Sequence, residues 1–275
     1  MTMTVREQSA SSALADGERR SAEQVRKASE FRGLHIPGKP LVFFNIWDAG
    51  SAKAVAAGGA KAIATSSWSV ANAHGFSDGE RLPLSAAIEN LRQIASAVDL
   101  PITIDLESGY GDQADALGNT IALVIETGAV GCNLEDSYPA NGSLREMSDQ
   151  CLRIQSARRI AEAAQIDFFI NARTDVFFQR PAAQHDEAMV SEAIERSRAY
   201  ADAGADGLFA PGLADIGLIA RLAKNAPLPL NIMVGDGTPH LRVLAESGVA
   251  RVSHGPRPYL LAMKALEEAA LAATA

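Results

Sequence analysis

The chain has 275 residues, of which 47% are hydrophobic and 21% are charged, and its formal net charge is -8. This composition is ordinary for a globular protein with a sizeable core, and the negative charge, without a long Lys/Arg run, argues against a nucleic-acid partner. We expect no membrane-spanning helix and no membrane partner, because no run of about 18 apolar residues occurs.

The first residues, 1 to about 20, are polar and rich in serine and alanine, and we expect them to fray. They lack the apolar core of a signal peptide. A helix is expected over about residues 21–33. We therefore divide the chain into a polar N-terminal segment that includes the start of this helix (1–30) and a main unit (31–275).

Eight short apolar runs alternate with helical patterns along the main unit. The runs are too short for typical helices, and several are rich in Ile, Val and Phe, which favours buried strands. They are LVFFNIW (41–47), KAIATSS (61–67), PITIDLE (101–107), AVGCNLE (129–135), IDFFINAR (166–173), ADGLFAP (205–211), LPLNIMV (228–234) and GVARVSH (248–254). Strict alternation of strand and helix predicts a parallel sheet. Eight such units favour an α/β fold of the (β/α)8 TIM-barrel type, with an open doubly wound sheet as the alternative.

The last stretch, LLAMKALEEAALAATA, is typical of a terminal helix that is apolar on more than one side, which favours packing against another subunit. The two cysteines, Cys132 and Cys151, define neither a disulfide framework nor a CxxC pair. This cysteine pattern favours a cytoplasmic protein.

Polar side chains gather at the C-terminal ends of the predicted strands. The third run ends in IDLESGYGD, where Asp105 and Glu107 face the same way because side chains alternate along a strand. The same parity turns four side chains of the fourth and fifth runs inward: Asn133, Glu135, Asn171 and Arg173. The C-terminal end of the strands is where barrel enzymes place their chemistry.

Carboxylates that converge on one barrel mouth repel one another, and a hard divalent cation with oxygen ligands offsets that repulsion. We predict Mg²⁺, or Mn²⁺ in its place, with Asp105 as the direct ligand and Asp78, Glu107 and Glu135 in the outer shell. The Gly-Tyr-Gly turn brings the backbone of Gly109 close to this site. The alternative for any one of these acids is a helix cap or an ion pair with an arginine.

The lysines and histidines narrow the chemistry further. No lysine occurs between residues 62 and 223, which argues against a Schiff-base mechanism. The five histidines show no zinc-binding spacing. His74 follows the second strand, so it is a candidate for proton transfer, as is Ser143 on the loop after the fourth strand. The alternative for a loop histidine is a solvated side chain without a catalytic role.

Eight motifs follow one another over about residues 30–262: FNIWDAGSAK, IATSSWSVANAHGFSD, TIDLESGYGD, GCNLED, FFINARTD, GADGLFAPG, PLNIMV and GVARVSHGP. Together they resemble the isocitrate lyase/phosphoenolpyruvate mutase superfamily, most of all its phosphonomutase-like or carboxyvinyl-carboxyphosphonate phosphorylmutase-like branch. The resemblance implies a modified barrel that swaps its C-terminal helix between subunits and forms a homo-oligomer, a dimer or a dimer of dimers (homotetramer). It also implies Mg²⁺ and a small α-keto or α-hydroxy acid as substrate.

By position in these motifs, Asp105 matches the direct metal ligand, and Asp78, Glu107 and Glu135 match the water-mediated acids. The resemblance implies that Ser66, Ser67 and Trp68 hold the substrate carboxylate and that Arg173 contacts its acidic end. From their places near the mouth, Gly109 and Asn171 join this substrate-binding set. The expected catalytic set is Arg173, Glu135, Ser143 and His74.

The loop EDSYPANGSLREMSD departs from the family, because it has neither the cysteine of the lyases nor the lysine of the mutases. The leading hypothesis is a Mg²⁺-dependent lyase-type enzyme. It would cleave a C–C bond of a small α-oxo or α-hydroxy carboxylate through an enolate-like intermediate. One alternative is C–P bond chemistry, as in phosphonopyruvate mutase or hydrolase. The other is a non-catalytic barrel that binds carboxylates.

Overall fold

The computed structural model describes residues 22–274, so the predicted fraying of residues 1–20 lies outside the described residues. Residues 22–33 are helical (α1), where the sequence predicts a helix. The other elements are, in chain order, β1 (Leu41–Phe43), α2 (Ala49–Ala57), β2 (Ile63–Ala64), α3 (Ser67–Ala73), α4 (Leu84–Ala97), β3 (Ile102–Asp105), α5 (Ala114–Glu126), β4 (Gly131–Glu135), α6 (Met147–Ala163), β5 (Phe169–Arg173), two 3-10 turns (Asp175–Phe178 and Ala182–Gln184), α7 (Glu187–Asp202), β6 (Gly207–Ala210), α8 (Ile216–Asn225), β7 (Leu230–Met233), α9 (Leu241–Glu246), β8 (Arg251–Ser253) and α10 (Arg257–Thr274).

All eight predicted strands are present, and they form one parallel sheet in the order β1-β8-β7-β6-β5-β4-β3-β2. The seam between β1 and β2 is closed by a parallel bridge between Ile46 and Thr65. There Ile46 N donates to Ala64 O at 2.9 Å, and Ser66 N donates to Ile46 O at 3.1 Å. The predicted (β/α)8 barrel is therefore confirmed, and the open doubly wound sheet is excluded.

The alternation along β4 places side chains as the sequence predicts. Cys132 and Leu134 are fully buried in the apolar cluster between the strands and the helices. Asn133, between them in sequence, faces the barrel interior and lines its mouth. The apolar residues of β4 thus anchor the strand, and its polar residues are free to build a site.

A buried arginine occupies the barrel interior below the mouth. Arg251 is 1% exposed, and its guanidinium lies 4.5 Å from the ring centroid of Phe43. Its Nη2 donates to Asn133 Oδ1 at 3.1 Å. Burial lowers the pKa of Arg251 to about 9, and the carboxylate of Asp105 opposes this shift. Arg251 is therefore a cation that supports the polar mouth from beneath.

The final helix, α10, touches the barrel near its start. The ring of Tyr259 packs edge-on against Trp47 and Trp68, with centroids 5.1 and 6.0 Å apart. Beyond this contact, large apolar side chains of α10 face solvent in the single chain: Leu260, Leu261, Met263, Leu266 and Leu271. Across residues 22–274, every helix is too short or too polar to cross a bilayer.

Candidate active site

A cavity of about 200 Å³ lies at the C-terminal ends of the strands. Its polar wall consists of Asn45, Ser66, Ser67, Asp78, Asp105, Asn133, Arg173 and Ser253, and its apolar wall of Trp68, Phe178, Phe209, Pro211, Met233, Gly255 and Pro256. Six residues that the sequence predicts for the site line this one space: Ser66, Ser67, Trp68, Asp78, Asp105 and Arg173. The cavity lies at the barrel end where barrel enzymes carry out their reactions.

Asp105, the last residue of β3, is held in one orientation by its neighbours. Its Oδ2 accepts hydrogen bonds from Ser67 N at 3.2 Å and Ser67 Oγ at 2.9 Å. Its Oδ1 accepts from Asn133 Nδ2 at 3.4 Å. The other end of the Asn133 amide accepts from Arg251 and from Asn171 Nδ2, the latter at 2.9 Å. These two donors fix the direction of the amide and turn its NH₂ group toward Asp105.

Glu107 takes part in a reciprocal clamp between two loops. It lies behind Asp105, and its Oε2 accepts from the backbone N–H groups of Gly79 and Glu80, both at 2.7 Å. In return, Glu80 Oε1 accepts from Ser108 Oγ and Tyr110 N, both at 2.7 Å. Each glutamate therefore binds the backbone of the loop that carries the other. The clamp fixes the loop that bears Asp78 against the loop that follows β3.

The backbone of this clamp is unusual. Glu80, Glu107 and Tyr110 have φ values of 58°, 53° and 57°, in the left-handed region that disfavours residues with a Cβ. Such conformations persist where the surrounding contacts determine them, and they cluster at functional sites. The amide bonds to the two glutamates supply those contacts. Of the two glycines that flank Tyr110, Gly109 has a φ of 100°, and Gly111 lies where a Cβ would stand 2.6 Å from Ala116 Cβ.

Several carboxyl groups near the mouth have raised pKa values. Burial and the neighbouring charge of Asp105 raise the pKa of Asp78, while the charge of Arg173 and a hydrogen bond with Ser67 oppose the rise. Burial raises the pKa of Glu107 to about 8, and the carboxylate of Asp78 adds to the rise, while the two amide donors oppose it. Two acids with raised pKa values beside the carboxylate of Asp105 form a cluster that a bound cation would stabilise.

Arg173, at the end of β5, is the guanidinium that faces the cavity, and two acids bind it. Its Nη1 lies 2.7 Å from Glu135 Oε2, and its Nε and Nη2 donate to the two oxygens of Asp175 at 2.6 and 3.1 Å. Burial alone would lower the pKa of Arg173, but the carboxylates of Glu135, Asp175 and Asp105 raise it, so the guanidinium stays protonated. Burial raises the pKa of Glu135 in spite of this pairing.

The other predicted site residues lie outside the cavity lining. His74 is exposed at the end of α3, where its Nδ1 lies 2.9 Å from Val70 O. Ser143 is exposed on the loop after β4, where its Oγ donates to Asn141 Oδ1 at 2.8 Å. Gly109 is buried and packs so closely against Leu117 that a Cβ at this position would lie 2.4 Å from the Leu117 side chain. Asn171 supports Asn133 from below. The roles predicted for these four residues stay predictions.

Asn45 and Glu80 are among the residues of the site that were not included in the predicted set. Asn45 follows β1; its Oδ1 accepts from His254 N and Gly255 N at 2.9 and 3.0 Å, and its Nδ2 donates to Thr65 O at 2.9 Å. It thereby ties the ends of β1, β2 and β8 together, and the same strand parity applied to the first run would have identified it. No pattern in the sequence indicates the role of Glu80, because that role depends on the contact between its loop and the loop that follows β3.

The donor set at the mouth fits a hard cation that keeps much of its water. Across residues 22–274, no three acidic, histidine or cysteine side chains form a complete protein cage for a metal ion. Mg²⁺ does not require one, since it usually takes one or two carboxylates and retains several waters. Asp105 and Asp78 both face the cavity and offer such oxygens.

Comparisons with known proteins agree with this architecture. The family model described as phosphoenolpyruvate phosphomutase matches residues 31–274. A protein of Burkholderia cenocepacia J2315, provisionally labelled a phosphonomutase, has a crystal structure that resembles this one with a TM-score of 0.88. Its sequence is 52% identical, and the match covers 91% of this chain and 99% of that chain. An uncharacterized protein of Mycobacterium tuberculosis H37Rv is 36% identical over 244 residues, 88% of each chain. The 2-methylisocitrate lyase of Escherichia coli K12 is 29% identical over 257 residues, 86% of this chain and 83% of the relative.

Proposed function

The chain belongs to the phosphoenolpyruvate phosphomutase family, and from this premise we propose that it is an enzyme that cleaves a C–C bond of a small α-oxo or α-hydroxy carboxylate with the help of Mg²⁺. The observation that supports this most is the single cavity shared by Asp105, Asp78, Arg173 and the Ser66–Trp68 segment. A similar relative, the 2-methylisocitrate lyase, is named for a C–C bond cleavage of this kind.

In this proposal Asp105 holds the metal directly, and Asp78, Glu107 and Glu135 hold it through water. A divalent ion held by these residues would supply a Lewis acid for the C2 oxygen of the substrate and would stabilise the negative charge that develops when a bond at C3 breaks. The acids themselves fit this role because their mutual repulsion falls when a cation binds. Mn²⁺ offers the same ligand preferences and is expected to substitute.

The protein groups around the metal site orient the substrate. Ser66, Ser67 and Trp68 line the cavity, where a substrate carboxylate would compete with Asp105 for the N–H and the hydroxyl of Ser67. Arg173 presents a protonated guanidinium to the same space, held rigid by Glu135 and Asp175. Candidates for the proton transfer are Ser143 and His74, and both require their loops to close over the mouth before they reach a substrate.

The charges at the mouth favour C–C cleavage over C–P cleavage. A phosphonate group carries up to two negative charges and needs cations around it, whereas the loop Pro139–Leu144 contains no lysine or arginine. The similarity to the Burkholderia protein labelled a phosphonomutase keeps C–P chemistry as the second candidate. Phosphorus NMR on phosphonopyruvate separates the two, since C–P chemistry moves the phosphorus resonance and C–C chemistry does not.

The test is to incubate the protein and Mg²⁺ with a panel of small 2-oxo and 2-hydroxy acids, including oxaloacetate, and to follow pyruvate with a coupled dehydrogenase. Metal-dependent release of pyruvate above the rate with EDTA is the expected result. Oxalate binding without any turnover across the panel would instead support a barrel that binds carboxylates and does not react with them.

We also propose that the chain acts as a homo-oligomer, a dimer or homotetramer, in which α10 packs on a partner subunit. The exposed apolar face of α10 supports this, because leucines in contact with water gain from burial against a second copy. The two cysteine thiols are both unpaired, which supports the proposed cytoplasmic location.

A further inference from the structure

The cavity has two chemically different halves. The ends of β1 to β5, together with Ser253 of β8, supply its polar half, which carries Asp78, Asp105 and Arg173. The apolar half is built by residues of β6, β7 and the segments that follow β5, β6 and β8, together with Trp68: Phe178, Phe209, Pro211, Met233 and Pro256. A ligand that fills the whole space therefore meets charge at one end and hydrocarbon at the other.

The polar half carries no net positive charge around its arginine. Arg173 is the cation among the described residues that line the cavity, and two carboxylates, Glu135 and Asp175, pair with it through Nε, Nη1 and Nη2. Burial of a carboxylate without a compensating charge is strongly unfavourable. A metal ion at Asp105 would compensate one carboxylate of a substrate, and a distal carboxylate would have to share Arg173 with these two acids.

The apolar half is shaped by two close approaches that only glycine allows. A Cβ on Gly212 would stand 2.9 Å from the ring of Phe178, and a Cβ on Gly255 would stand 2.7 Å from Met233 Sδ. Phe178 is nevertheless 50% exposed, at the rim of the cavity. The two glycines let large apolar side chains line a small space. The Phe178 ring forms the border between the two halves, because the guanidinium of Arg173 lies 5.5 Å from its centroid.

From these observations we propose that the substrate is a 2-oxo or 2-hydroxy acid with a single carboxylate and a short alkyl group at its distal end. This inference rests on the proposed function and deepens it. The carboxylate binds in the polar half, and the alkyl group lies against Phe178, Phe209 and Met233. Substrates with a second carboxylate, or with a phosphonate, at the distal position are disfavoured.

For a 4-hydroxy-2-oxo acid of this class the reaction balances without any co-reactant. The C4 hydroxyl loses its proton to a base, the C3–C4 bond breaks, and its electron pair moves to C3. The C4 fragment leaves as an aldehyde or ketone. The C3 carbon then takes a proton, and pyruvate is released.

A matched pair of substrates tests the inference. In 4-hydroxy-2-oxopentanoate a methyl group stands where 4-hydroxy-2-oxoglutarate has a carboxylate, and both release pyruvate on C3–C4 cleavage. We expect kcat/KM to be higher for the methyl compound by a factor of about 10 or more, the scale by which an apolar pocket discriminates. Equal values, or a preference for the dicarboxylate, would overturn the inference and leave the proposed function standing.

Variants of Met233 provide a second test. Met233→Lys places an ammonium group in the apolar half, and we expect it to reverse the preference toward the dicarboxylate. Met233→Leu keeps the wall apolar and is expected to keep the preference for the methyl compound. Leu241→Lys, on the exposed start of α9 and outside the cavity lining, is the matched control for an added charge. An unchanged preference in a folded Met233→Lys protein would count against the inference.

Binding without turnover separates this inference from the proposed function. Calorimetry in the presence of Mg²⁺ would compare 2-oxoglutarate with 5-methyl-2-oxohexanoate, in which two methyl groups replace the distal carboxylate oxygens. Tighter binding of the methyl compound supports the two-sided cavity even if no substrate in the panel is cleaved. Tighter binding of 2-oxoglutarate contradicts it even if pyruvate is formed.

Discussion

Replacement of Glu80 by alanine tests whether the reciprocal clamp holds the mouth together. Glu80 Oε1 accepts two hydrogen bonds at 2.7 Å, from Ser108 Oγ and Tyr110 N. Hydrogen bonds to a charged acceptor contribute about 1.5–3 kcal/mol each. Ser108 is 1% exposed, so water does not easily replace the lost acceptor. We therefore expect Glu80→Ala to lower the free energy of unfolding by about 3 kcal/mol, the lower end of the sum for two such bonds.

Glu80→Gln is the matched control, because it retains an oxygen acceptor of the same shape and removes the charge. Hydrogen bonds to charged groups are roughly twice as strong as neutral ones, so the glutamine variant should lose about half as much stability, roughly 1.5 kcal/mol. Urea denaturation of the three proteins at one pH gives the order wild type, Gln, Ala. Both replacements keep a side chain at the left-handed φ of 58°, so backbone strain cancels in the comparison.

The clamp also predicts a functional effect at a distance. Asp78 lies two residues before Glu80, on the loop that the clamp fixes. Loss of a group that orients a metal ligand typically weakens metal binding by about 10–100-fold. We expect Glu80→Ala to weaken Mg²⁺ binding within this range in calorimetry. If the alanine variant matches wild type in both stability and Mg²⁺ affinity, the clamp does not position the site.

Three further predictions concern the metal, acid stability and assembly. Asp105→Asn should weaken Mg²⁺ binding more than about 100-fold, since the direct ligand loses its charge; a change of less than tenfold in calorimetry would contradict its role. Burial, aided by the charge of Arg251, lowers the pKa of His35 from 6.5 to about 3. Between pH 6.5 and about 3, the unfolded chain therefore binds a proton at His35 that the folded chain does not bind. The free energy of unfolding should fall by up to about 1.4 kcal/mol for each unit by which the pH is lowered. His35→Phe should remove that part of the slope between pH 6.5 and 4, and identical slopes in urea titrations would refute it. Leu261→Glu combined with Leu266→Glu should convert the assembly to monomers in light scattering, and a monomeric wild type would refute the proposed packing of α10.

Much of the fold could be predicted from the sequence because each strand and helix of the barrel has its own local pattern of apolar residues. The alternation of short apolar runs with helical stretches predicts eight strands, and each appears, with shorter bounds than the runs. The inward parity of Asp105, Asn133 and Arg173 follows from strand geometry alone, and all three line the cavity. Local periodicity is therefore sufficient to predict the direction of a side chain that lies on a regular strand.

The parts that the sequence did not predict depend on how loops meet. Glu80 and Glu107 clamp two segments that are far apart in the chain, and neither spacing nor parity reveals such a pair. Asp175 was not included in the predicted site, although it occupies two nitrogens of Arg173. The negative charge of Asp175 offsets the positive charge that Arg173 presents to a substrate. The Glu80–Glu107 clamp is therefore the non-local part that the sequence could not predict, whereas Asp175 lies two residues after Arg173 in the motif FFINARTD.

A crystal structure with Mn²⁺ and oxalate tests the central claim most directly, because Mn²⁺ scatters anomalously and oxalate mimics the enolate of pyruvate. We predict an anomalous peak beside Asp105, with water between the ion and Glu107 and Glu135, and oxalate between the ion and Ser67. A cavity without an ion under these conditions, or oxalate bound elsewhere on the barrel, would contradict the account.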